Sequence, residues 1–277
     1  MLYIRFKKCL KKILPLDWYY KLAFLKENIK GEIWGLLYPG DERFCPFCGK
    51  SYGKFMPCKY PYGITEKADI ISAQTIDNLT CPNCFSKDRQ RALYFYFQQK
   101  NISFANKKIL HFAPELSLYS LISPQNPAEY ICGDIEPKAY SHISQPVRKL
   151  DIINIDLPSD YFDIVICNHV LEHIEDDIKA MKELFRVLKK GGLAVLLVPI
   201  GANLEKTYED ASKITEEERA EAFGQSDHIR IYSEKGYLER LSSVGFAMSA
   251  ENARLSPEEI FKYAINHREK LYIGDKN

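Results

Sequence analysis

The chain has 277 residues, of which 46% are hydrophobic and 27% charged, and its formal net charge is +1. These are the proportions of a globular protein with room for one large domain, or one large and one small. They exclude a membrane-embedded chain, because the apolar run from Leu193 to Ile200 is far short of the ~20 residues that a spanning helix needs. The charge is unevenly spread: residues 1–107 hold 18 Lys and Arg against 9 Asp and Glu, and the remainder holds 20 against 28. Such a split implies two parts with different partners.

Residues 1–40 are basic and aromatic. Leu2, Phe6, Cys9, Leu10, Ile13 and Leu14 share one helical stripe, flanked by Arg5, Lys7, Lys8, Lys11 and Lys12. Either the stripe lies on an anionic membrane surface through residues 1–30, or it packs on the protein with its basic side solvated. The lysines interrupt any signal-peptide core. A cytoplasmic location is therefore expected, where thiols stay reduced, and the eight cysteines read as metal ligands or buried apolar groups.

Residues 41–100 carry the pairs Cys45-Pro46-Phe47-Cys48 and Cys81-Pro82-Asn83-Cys84. Two matching C-x-x-C turns supply four thiolates, the donor set of a structural, tetrahedral zinc site in a small ribbon. Cys58 is read as a spare thiol, and Cys132 and Cys167 as core residues. Ser86 to Gln99 is expected to form a helix that joins this module to the rest.

From residue 101 to 277, short apolar strands alternate with helical patterns, which predicts an α/β, Rossmann-like parallel sheet with helices on both faces. Strands are expected at 108–113, 129–133, 147–150, 162–167 and 193–198, the last two apolar enough for burial on both faces. Ile174, Ile178, Met181, Leu184, Phe185 and Leu188 form one helical stripe, with Gly191-Gly192 expected to stop that helix. Ser233 to Ser243 is expected to be helical, and Lys270 to Ile273 a final edge strand.

Ligands of open α/β sheets sit beyond the C-terminal strand ends, so the residues there matter most. They are Ala113-Pro114-Glu115, Asp134, Asp151 and Asn168-His169. A carboxylate after the second strand can accept both hydroxyls of a ribose. A second, on the next strand, can accept an adenine amino group. No G-x-G-x-x-G occurs, which disfavours dinucleotides.

The run Phe162-Asp163-Ile164-Val165-Ile166-Cys167-Asn168-His169-Val170-Leu171-Glu172-His173-Ile174, followed by Arg186-Val187-Leu188-Lys189-Lys190-Gly191-Gly192, resembles class I S-adenosylmethionine-dependent methyltransferases of the methyltransferase type 11 kind. The resemblance covers roughly residues 107–250. It implies that the first turn, His111-Phe112-Ala113-Pro114-Glu115, meets the methionine part of the cofactor. It also implies that Asp134 and the neighbouring Ile135 meet the ribose, and Asp151 and Ile152 the adenine. Asn168 and His169 would line the methyl end. The chain departs from the family at the first turn, where an acid and G-x-G are usual. Here His111 replaces the acid and Ala113-Pro114 the glycines, so Glu115 is the candidate to meet the cofactor's ammonium group.

For a hydroxyl acceptor a base must take a proton near the transition state, a task that suits histidine. His169 is read as a base or as a residue that shapes the cofactor site. His228 is the second candidate, with Asp227 to orient it and Arg230 either to bind an anionic acceptor or to close a loop through an ion pair. Glu172 and His173 are read as fixing the loop and helix start. Residues 207–210 and 215–222 form either a lid or a solvated face. The function expected is O-methylation of a small-molecule or glycan-precursor hydroxyl. The alternatives are an RNA methyltransferase, whose ribbon and basic front hold phosphates, and a non-catalytic zinc-ribbon protein with a degenerate cofactor site.

Overall fold

The computed structural model describes residues 14–71 and 76–277. The stripe expected from Leu2 to Ile13 lies outside the described residues. Helix α1 (Leu16–Leu37) lies across the cysteine module. Gly31 lets it approach, since a Cβ there would come within 2.1 Å of the Pro82 carbonyl oxygen. Phe24, on the same side, stacks on His142 at 4.9 Å, so the helix also reaches the segment that follows the second strand of the large sheet. Its opposite side carries Trp18, Leu22, Leu25, Ile29 and Ile33, all exposed and spaced by three or four residues.

The module consists of two antiparallel pairs. Strand β1 (Arg43–Phe44) pairs with β2 (Ser51–Tyr52), and β3 (Met56–Cys58) with β4 (Ile76–Thr80). A short helix α2 (Gly63–Lys67) separates the latter two. Helix α3 (Asp88–Gln99) then leads to the sheet. Its Arg91 is fully buried, and the guanidinium donates to the carbonyls of Ser86, Leu79, Tyr263 and Ala264 at 2.5 to 2.9 Å. A buried cation that spends its donors on four carbonyls meets the demand for pairing and binds the module to the C-terminal part of the chain.

The large sheet follows with β5 (Lys108–Phe112), α4 (Leu116–Ile122), β6 (Glu129–Asp134), β7 (Arg148–Lys149), β8 (Phe162–Cys167), α5 (Asp177–Val187) and β9 (Leu188–Val195). A small pair, β10 (Tyr208–Glu209) and β11 (Arg230–Ile231), brackets α6 (Glu216–Phe223). The chain closes with α7 (Glu234–Ser243), β12 (Phe246–Glu251), α8 (Pro257–Lys262) and β13 (Leu271–Lys276). Strand order is β12-β13-β9-β8-β5-β6-β7. Strands β5 to β9 are parallel, and β13 runs antiparallel to both neighbours. This is an α/β, Rossmann-like sheet with one antiparallel strand inserted beside its parallel core. Strand order reverses between β5 and β8, so a ligand site is set there.

Three expectations change. The last strand is not at the edge, since β13 inserts between β9 and β12, and Leu271 to Ile273 are buried. Strand β12 was not expected at all. Helix α5 stops at Val187 rather than at the glycine pair, because Leu188 turns extended (ψ 135°) and pairs with Phe162. Lys189 to Gly192 then bulge out of the ladder, with Gly191 at φ +68°. The bulge is pinned by the Lys189 ammonium on Asp163 at 2.8 Å.

Candidate active site

At the end of β5 the chain turns sharply. Ala113 sits at φ +48°, the left-handed region where glycine is the easier residue, and its N–H donates to the Gly133 carbonyl at 3.0 Å. Pro114 is buried beside it and Phe112 beneath. Glu115 caps the next helix in space without capping it by hydrogen bonds, because its carboxylate faces inward. It accepts from Gln90 Nε2 at 2.8 Å and from Asn168 Nδ2 at 3.0 Å. Arg89 lies 3.6 Å away and His111 Nε2 3.7 Å away. Burial opposes ionisation, but the His111 and Asn168 contacts and the Arg89 charge together hold the carboxyl at about 2. The other His111 nitrogen meets the Tyr130 hydroxyl at 2.9 Å. Gln90 and Arg89 come from the helix that follows the cysteines, and no local pattern in the sequence announced them as partners of this turn.

The next two strand ends each present an acid. Asp134 accepts from the Glu136 N–H at 2.7 Å and from the Tyr140 hydroxyl at 2.8 Å, one bond on each oxygen. Asp151 accepts from the Ile153 N–H at 3.1 Å through one oxygen and is exposed, whereas Ile152 is buried. Ile135, between the acids in sequence, is 61% exposed. A large aliphatic side chain left open next to the Asp134 strand end has the form of a shelf for a flat ring with polar edges.

The end of β8 gathers histidines. Asn168 is buried and bridges Glu115 to the Leu197 N–H. His169 adopts φ +55°, and its Nδ1 lies 3.3 Å from Glu172 Oε1. Burial and the nearby Arg89 and Lys87 charges hold this imidazole neutral, well below its ordinary value. His173 and His228 each bring Nε2 to 4.0 Å from the same oxygen. Glu172 itself is 1% exposed, and among the described residues no donor from another residue reaches either oxygen. Burial pushes its carboxyl up to about 7. Burial likewise pushes His228 down to about 4, helped by the charge of His173.

Asp227 differs from expectation. Its carboxylate lies 3.7 Å from His173 Nδ1, and its carbonyl oxygen receives a hydrogen bond from that nitrogen at 3.0 Å. It therefore orients His173 rather than His228. Arg230 is buried, and its guanidinium donates to Glu209 and to the carbonyls of Leu171, Ile174 and Glu175. The loop-closing reading applies to Arg230, since those bonds use most of its donors.

The four cysteines converge. Cys45 and Cys84 Sγ are 3.4 Å apart, and Cys48 and Cys81 Sγ 3.7 Å apart. The two turns fold alike. Gly49 and Phe85, each four residues after the first cysteine, have φ of +68° and +58° and donate to the Cys45 and Cys81 carbonyls. Four sulfurs around an ion at bonds of about 2.3 Å are ~3.8 Å apart, so the donor set and spacing are consistent with a small zinc site. The Ser86 hydroxyl lies 3.2 Å from Cys45 Sγ, placed to orient a ligand.

Residues 117–196 match the methyltransferase domain family. Over 58 residues the chain is 38% identical to the ubiquinone/menaquinone biosynthesis C-methyltransferase UbiE of Vibrio vulnificus strain YJ016, a stretch that is 20% of this chain and 22% of that protein. The chain thus spans about a fifth of the length of that relative. Among solved structures it is similar to an S-adenosylmethionine-dependent methyltransferase from Mesorhizobium loti, with TM-score 0.48 and 13% identity over 65% of this chain and 94% of the other. It is also similar to YcgJ of Bacillus subtilis, with TM-score 0.45 and 17% identity over 66% and 97%. The matched segment runs from α4 to β9 and includes Asp134, Asp151 and the histidine-rich end of β8, so the similarity falls on the strand ends that form the candidate site.

Proposed function

We propose that the protein is an S-adenosylmethionine-dependent methyltransferase that methylates a hydroxyl of a small molecule or glycan precursor. The pair Asp134 and Asp151, flanking exposed Ile135 at the strand ends next to the switch point, carries this reading. Each Asp134 oxygen keeps a lone pair for a ribose hydroxyl, and the second Asp151 oxygen remains for an adenine amino group. When bound, the cofactor supplies a methyl group on a cationic sulfur. His169 and His228, both held neutral by burial, are the groups that would take the acceptor's hydroxyl proton. Asp134→Ala is expected to abolish adenosylhomocysteine binding in calorimetry, and an unchanged affinity would remove the assigned cofactor site.

The cysteine cluster is proposed to hold a structural zinc ion, with all four positions filled by thiolate and none left for chemistry. Metal analysis of the purified chain should find one zinc per molecule, and a chain without zinc would end this assignment. A peripheral membrane contact through residues 1–30 is supported by the exposed stripe of α1, Trp18 to Ile33, together with the basic residues before it. Removal of residues 1–30 should abolish sedimentation with anionic vesicles; sedimentation that survives the deletion would refute the contact.

A further inference from the structure

We propose that Glu172, His173 and His228 form a second metal site, for a divalent first-row transition cation, at the end of β8. Its use in catalysis rests on the methyltransferase reading, but its existence does not. The three ligand atoms lie within 4.8 Å of one another. They come from two segments, the turn after β8 and the run into β11, which are tied together. The Ile229 N–H donates to the Glu172 carbonyl at 3.1 Å, and Arg230 grips the carbonyls on either side of Glu172.

Glu172 points to a cation. A buried carboxylate with no donor from another residue is costly, on the order of several kcal/mol, unless an opposite charge meets it. Among the described residues, the imidazoles of His169, His173 and His228 lie within 4.0 Å of it, and none of them hydrogen-bonds to it. His173 donates through Nδ1 to the Asp227 carbonyl at 3.0 Å. That bond places the lone pair on Nε2, the nitrogen facing Glu172, in the way an outer partner orients a metal-binding histidine. Bonds of about 2.0–2.2 Å require ligand atoms ~3–3.5 Å apart, so both imidazoles, each 4.0 Å from the same Glu172 oxygen, would draw in by ~0.5–1 Å on binding; His173 is the most exposed of the three at 29%. Two imidazoles and one carboxylate leave coordination positions open, and this donor set suits zinc, manganese, iron or cobalt rather than calcium or magnesium. It also differs from the four thiolates of the ribbon.

The site narrows the choice of base. With His228 on the metal, His169 remains, its Nε2 buried and unpartnered. A cation held by Glu172, His173 and His228 would acidify an acceptor hydroxyl, and His169 Nε2 would be the group to take its proton.

The test uses the full chain, loaded with one equivalent of zinc so that only the tighter four-thiolate cluster is filled, and then dialysed against Co2+. One Co2+ per chain is expected beyond the zinc, with weak visible bands and no thiolate-to-cobalt charge transfer. Glu172→Gln and His173→Ala should each weaken Co2+ binding at least ~10-fold while keeping adenosylhomocysteine binding. If Glu172→Gln does not fold, the partly exposed His173→Ala carries the test. No uptake by the parent chain at millimolar Co2+, or uptake unchanged in the variants, overturns the site. A parent chain that binds Co2+ but not adenosylhomocysteine would instead overturn the methyltransferase reading and leave the metal site standing.

Discussion

Two buried glutamates stand at the ends of adjacent strands, and their surroundings are opposite. Glu115, after β5, is met by Gln90, Asn168, Arg89 and His111, and stays ionised. Glu172, after β8, is more deeply enclosed, at 1% side-chain exposure against 13% for Glu115, and among the described residues it has imidazoles within 4.0 Å but no donor from another residue. The same side chain is thus a structural tie in one place and an unsatisfied ligand in the other. What separates the two is who supplies the donors. Helix α3 brings them to Glu115, whereas the turn around Glu172 uses its arginine on backbone carbonyls instead.

The most drastic way to break this contrast is to release the turn. Arg230→Ala should cost about 4 kcal/mol, because it removes the guanidinium donors of the Leu171, Ile174 and Glu175 carbonyls, while Glu209 keeps Arg240. Urea denaturation should show the midpoint falling with the slope unchanged, and a midpoint equal to that of the parent would dismiss Arg230 as the pin. Next in size is Glu115→Gln, expected to cost about 3 kcal/mol at neutral pH, the value of a carboxyl held near 2 against an ordinary 4.5. Because the folded value lies below the unfolded one, this contribution is complete above pH 4.5 and fades as pH falls towards 2. The parent and variant melting curves should therefore converge across that window; a constant gap would show that the charge is not the cause. The smallest effect is that of Glu172→Gln on the protein without Co2+. Loss of a bare buried charge should leave stability within about 1 kcal/mol of the parent, or raise it. A loss as large as that from Glu115→Gln would erase the difference between the two sites.

The central part of the fold was legible in the sequence because burial on both faces leaves long apolar runs. Phe162 to Cys167 and Leu193 to Val198 could be read as strands for that reason. The C-terminal hairpin was not. Strand β12 is the sheet edge and buries only Phe246, so it carries no apolar run, and β13 contains Gly274 and Asp275, so it did not look internal. The glycine pair misled because Gly191 serves a bulge rather than a helix end. At the site, residue types were readable but their pairing was not. Asp227 and His228 are neighbours in sequence, yet Asp227 serves His173, whose position relative to His228 depends on the β10–β11 segment folding back. The partners of Glu115 come from a helix that precedes it by some 25 residues, a separation no periodicity reports.

Helix α3 and its lead-in touch both centres. Ser86, just ahead of it, lies against Cys45 Sγ and hands its carbonyl to Arg91, while one turn on the same helix offers Arg89 and Gln90 to Glu115. With zinc in the cysteine cluster, scarcity of a trace nutrient would slacken this lever and unseat the donors that keep Glu115 in place. A cell short of the metal would then lose methylation through a residue that never touches the metal.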